Sequence, residues 1–127
     1  MALETGLPAW HTTLGPMLAE LDGGKFPIDL GPAIAKLIDE WAQAWVDRPG
    51  NDNASKDAAN KAAARLMFRL LAGHFRERLR SHAAKAEERV MVRDLAAIDQ
   101  VREAERRFDA NVQGLFVFDD LAAQLVG

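Results

Sequence analysis

A chain of 127 residues, 49% apolar and 28% charged, has the length and composition of one globular domain and not those of a disordered segment. It has no cysteine, which excludes disulfides and thiolate chemistry and fits a reducing cytoplasm. A net charge of −3 does not advertise nucleic-acid binding, the apolar runs fall well short of the ~20 residues that span a bilayer, and the amino terminus lacks the features of a secretory signal.

Pro8 to Leu21 is predicted as a short helix, with Leu14, Met17, Leu18 and Leu21 on one side. The paired glycines of Asp22–Lys25 end it, and Phe26 is pushed into extended backbone by Pro27. A second helix starts at Asp29 as N-cap, with Pro32 in the first turn where its missing N–H costs nothing. Leu30, Ile34, Leu37, Ile38, Trp41 and Trp45 form its apolar stripe, which marks the tryptophans as core and not as a ligand platform. The loop "DRPGNDN", Asp47–Asn53, follows.

The longest helix is expected from about Ser55 to Arg80, with Ala63, Leu66, Met67, Leu70, Leu71, Phe75 and Leu79 inward. Another helical segment covers Ser81 to Glu88. The next helix runs from about Asp94 to Ala110, with Ala97, Ile98, Val101, Ala104 and Phe108 inward and Glu103 and Arg107 as an outer i,i+4 pair. A last helix spans about Leu115 to Val126 and turns Phe118, Leu121, Ala122 and Leu125 inward. Nothing alternates with period two for long enough to make a strand. The expectation is therefore all-α, a single antiparallel array of about five helices spanning residues 1–127 as one domain.

Candidate chemistry is sparse. His11, His74 and His82 show no metal-ligand spacing, and His74 reads as a boundary residue of the long helix. The carboxylate pairs Asp39-Glu40, Glu87-Glu88 and Asp119-Asp120 are helix neighbours that do not face each other, so they are poor acid–base dyads. Asp119-Asp120 suits the start of the last helix through the macrodipole. No phosphate-binding glycine loop or nucleophile elbow occurs. No catalytic, cofactor-binding or metal-ligating residue is nominated, and no cofactor is expected. Lys61, Arg65, Arg69, Arg76 and Arg80 share one face of the longest helix. That face reads as a solvated or salt-bridged surface, or alternatively as a phosphate track of a small autonomous nucleic-acid-binding protein, with only Phe68 near it as an aromatic.

The closing stretch "AIDQVREAERRFDANVQGLFVFDDLAAQL", Ala97 to Leu125, carries a family pattern. It resembles the end of the delta-prime subunit of the bacterial DNA polymerase III clamp loader. That family closes with a helix bearing an Glu-Ala pair, a leucine and an asparagine turn, and then a short helix of the type L-x-L-E-x-L-L-x-x-L. Glu103-Ala104, Phe108 in the leucine position and Asn111-Val112 match the first part. Phe116 and Phe118 replace leucines, Asp119 stands for the acidic residue, and Leu121 and Leu125 match outright. "IDLGPAIAKLIDEWAQAW" and "KDAANKAAARLMFRLLAGHFRERLR" are similar, more loosely, to the middle of the same domain, so the resemblance covers residues 28–125.

The resemblance implies a collar domain, through which clamp-loader subunits join in a ring that loads the sliding clamp in DNA replication. The partners implied are the other clamp-loader subunits, with the sliding clamp and primer-template DNA contacted indirectly and no membrane. The family carries an ATPase-fold region ahead of this domain, so the chain is expected to be part of a longer protein within a polymerase III holoenzyme. Any ATP chemistry would lie in other domains.

Phe116 precedes Phe118 by about 160° on an ideal helix and cannot share its face once the helix has begun. Val117 is likewise expected off the inner arc. Phe116 and Val117 are thus candidates for a subunit-facing patch, with Arg65, Arg69, Arg76 and Arg80 as a second contact. The competing expectation is that Phe116 precedes the helix and packs locally under the Asn111 turn.

Overall fold

The computed structural model describes residues 1, 3–50, 55–110 and 114–126, and only the backbone of residues 3–5. Among these the chain is helical throughout, with no strand: α1 (Leu3–Ala9), a π-helical turn (Trp10–Leu14), α2 (Gly15–Asp22), α3 (Leu30–Val46), α4 (Lys56–Ala84), α5 (Glu88–Asp109), a 3-10 turn (Gly114–Phe116) and α6 (Val117–Val126). Counting the first three stretches as one rod gives the expected five helices.

The first rod begins earlier than its sequence suggests, with Pro8 inside α1. The π turn between the two α segments has a local cause. Pro16 has no N–H to give the Thr12 carbonyl, and its ring crowds that group. The ladder shifts register, and the Gly15 N–H bonds to the Trp10 carbonyl. Trp10 and Leu14 are both buried as a result. Gly6 sets how closely this rod can lie on the rest: a Cβ there would come within 2.9 Å of both the Trp41 ring and the Leu66 side chain.

The "DGGK" stop behaves as its glycines require. Gly24 adopts φ +84°, and the Lys25 N–H reaches back to the Glu20 carbonyl at 2.9 Å. Asp29 occupies the N-cap of α3, but its side chain makes no capping bond, whereas the Ser55 hydroxyl accepts from the Ala58 N–H at 2.9 Å to start α4. Helix α4 extends to Ala84, so the segment expected over Ser81–Glu88 divides between α4 and a turn. That turn puts Ala86 at φ +54°, a conformation L side chains resist, while the Glu87 N–H closes on the His82 carbonyl at 3.0 Å. Helix α5 then begins at Glu88, six residues before Asp94, and Asp94 becomes a buried mid-helix residue.

Helix α4 lies against α3 on one side and α5 on the other, and α6 contacts both α3 and α5. One cluster of buried side chains draws from every rod. The predicted inner faces are buried, except that Met17, Trp45, Leu79 and Leu125 are only partly covered. Phe68 is a correction. It does not accompany the arginines but is 1% exposed and stacks on Phe118 with ring centres 4.5 Å apart. Phe108 completes the group at 5.7 Å from Phe68 and 6.4 Å from Phe118. Three helices thus meet in one aromatic cluster, which ties the C-terminal helix into the core. Trp41 is buried as expected, but its indole N–H finds no acceptor among the described residues.

Candidate functional site

The Asn111-Val112 turn lies outside the described residues. Beyond it, the 3-10 turn carries Leu115 and Phe116 into solvent, Phe116 with 76% of its surface exposed. Val117 differs from its expectation, being 1% exposed. Val117 and Leu121 are four residues apart, so they lie on the same side of α6, and Leu121 faces the core. Phe116 alone of the pair is therefore exposed; it precedes α6, as the competing expectation had it, while the Asn111 turn under which it was to pack lies outside the described residues. A groove of about 410 Å³ runs between α6 and the start of α3, lined by Ile28, Gly31, Ala122, Ala123 and Val126. Ile28, 84% exposed, stands at that end.

The arginine face is exposed over its whole length, but it is not one uniform site. Arg65 lies 3.9 Å from Asp109, and Arg80 lies 2.8 Å from Glu77. Arg69 and Arg76 form no ion pair among the described residues. Of this face, Lys61 and Arg65 adjoin the C-terminal turn, sharing a hollow with Leu115, Asp109 and Phe108. Arg76 and Arg80 lie about 17 and 23 Å further along the helix axis. Since Phe68 is buried, no aromatic side chain accompanies this face for stacking on bases.

A second charged group was not assembled from the sequence. On another side of α4, His74, Arg78 and His82 recur every four residues. His74 Nε2 lies 3.3 Å from Asp22 at the end of α2. Arg78 bridges two helices, with Nη1 2.5 Å from Asp22 and Nε donating to Asp94 at 3.4 Å. His82 Nδ1 donates to Asp94 across 2.5 Å, and its Nε2 is 3.7 Å from Glu87. The Asp94 side chain is 4% exposed. Taking these carboxylates out of water is costly, and each is compensated by a cationic or hydrogen-bonding partner. The chain of charges latches α2, α4 and α5 together. The four-residue recurrence was the available signal; its partners were not, because Asp22 and Asp94 come near α4 only in three dimensions.

No group of three or more metal-ligating side chains occurs among the described residues, and no described helix is long and apolar enough to cross a membrane. On the outer side of α5, Glu103 accepts two bonds from Arg106, at 2.6 and 3.0 Å, and one from Arg107 at 3.2 Å. The Arg106 hydrogen bond is the main reason that the Glu103 carboxyl is held down to about 2. Comparison of the chain with models of protein families, with curated proteins and with solved structures finds no match.

Proposed function

We propose that this chain is a subunit-assembly domain of the clamp-loader collar type, serving a delta-prime-like subunit of DNA polymerase III. The supporting observation is the two-sided terminal helix. One side of α6 is committed to the core through Phe118 and Leu121, while the turn before it holds Phe116 out in water. An aromatic side chain left 76% exposed is the kind of anchor that protein interfaces bury. The C-terminal sequence pattern suggests the family, and the exposed Leu115 and Phe116 of the turn before α6 suggest the surface. In this reading the chain performs no chemistry. It contributes rigidity and a contact face to a ring whose ATP-dependent steps occur elsewhere.

The test is reconstitution. The chain is mixed with the purified clamp-loader subunits of the same organism and followed by size-exclusion chromatography with light scattering. Co-elution with one or more subunits is expected. A chain that stays separate from all of them at micromolar concentration contradicts the proposal. Salt-sensitive binding to primer-template DNA in their place would favour the arginine face as a nucleic-acid site.

A further inference from the structure

We propose that the cleft between the loop after α2, helix α5 and the end of α6 docks an acidic amphipathic segment of a partner protein. This inference does not depend on the collar reading. The cleft encloses about 430 Å³, within the roughly 300–1,000 Å³ range of ligand sites. Phe26, Val90 and Leu125 give it apolar walls, and the amides of Gln100 and Gln124 also line it.

Charge decides what fits. The carboxylates lining the cleft, Asp22 and Asp94, are both engaged with Arg78 and with His74 or His82. The cations Lys25 and Arg93 are exposed and form no ion pair among the described residues. Arg89 lies one turn before Arg93 on the same side of α5 and is exposed too. On a chain of net charge −3, this mouth is locally positive. A ligand carboxylate can therefore sit between Lys25 and Arg93 without displacing a partner.

The aromatic wall is open to solvent. Phe26 is 69% exposed, between Gly24 in its left-handed turn and the buried Pro27. An apolar ligand side chain would cover Phe26, Val90 and Leu125, while Gln100 and Gln124 can bond a peptide backbone.

The probe is a fluorescein-labelled peptide of alternating glutamate and leucine around one phenylalanine, with its lysine counterpart as control. Anisotropy is titrated at low and at physiological salt. The glutamate peptide should bind and the lysine peptide should not. The paired change Lys25→Glu with Arg93→Glu should weaken binding about tenfold or more, as should Phe26→Ser. The same charge change at Arg69→Glu with Arg76→Glu should alter it less than about twofold. Circular dichroism of each variant establishes that it is folded. No binding of the glutamate peptide overturns the proposal, and so does an equal loss from both charge reversals, which would mean general electrostatic attraction.

Discussion

Helix α4 carries two rows of cations on nearly opposite sides, and they have opposite fates. The row Arg65, Arg69, Arg76, Arg80 faces water, and its ion pairs are peripheral. The row His74, Arg78, His82 is largely covered, with Arg78 only 19% exposed, and is tied to carboxylates on α2 and α5. Both rows have the same helical periodicity. What separates them is what the rest of the chain brings opposite: α2 and α5 each place a largely covered aspartate, Asp22 and Asp94, against one row, whereas among the described residues the other meets from a neighbouring helix only the exposed Asp109, at Arg65. Charge spacing on a helix therefore identifies a row, but its role is set by tertiary neighbours.

The largest expected effect follows from that contrast. Arg78→Ala leaves Asp94 buried beside His82 alone and should cost on the order of 3 kcal/mol of stability in urea unfolding. Arg76→Ala, on the opposite side, should change it by less than about 0.5 kcal/mol. Equal losses would erase the distinction between the rows.

A smaller effect is expected where the latch joins its turn. Ala86 holds φ +54° directly after α4, between His82 and Glu87. Ala86→Gly relieves that strain and should stabilise the protein by about 1 kcal/mol. A loss of stability there would show that the gain in unfolded-chain entropy outweighs the strain.

The smallest effect belongs to an exposed pair. Glu103, held down to about 2 by Arg106, contributes stability that is present above the ordinary carboxylate range and lost as pH falls toward 2. Because this group is in solvent, Glu103→Gln should lower Tm only slightly at neutral pH. The difference from the parent protein should vanish in acid. A difference that grows on acidification would assign the pair the wrong sign.

Much of the fold was legible because apolar periodicity reports burial directly. Ile34, Leu37 and Ile38 on α3, and Ile98 and Val101 on α5, fall where a helical stripe puts them. The misreadings have local causes. Phe68 was misplaced although it lies three and seven residues before Leu71 and Phe75 on the inner face; Phe108 and Phe118 pack on it there. Val117 was misplaced although its i,i+4 relation to Leu121 was in the sequence. Asp94 read as a helix start because acidic residues favour first turns. No pattern in α5 itself announced that two residues of α4 would reach Asp94 from across the interface. For the candidate site, Phe116 lies in the turn before α6, so its angle relative to Phe118 on a helix did not decide its exposure, and the cleft beside Phe26 depends on three segments distant in sequence.

Under the proposed function the C-terminal segment serves the core through α6 and a neighbouring subunit through Phe116 in the turn before it. Phe116→Ser tests it most directly, with thermal unfolding and association with the clamp-loader subunits measured on the same preparation. The account predicts a Tm close to that of the parent protein and association weakened about tenfold or more. A sharp fall in Tm, or association unchanged by the substitution, would contradict it.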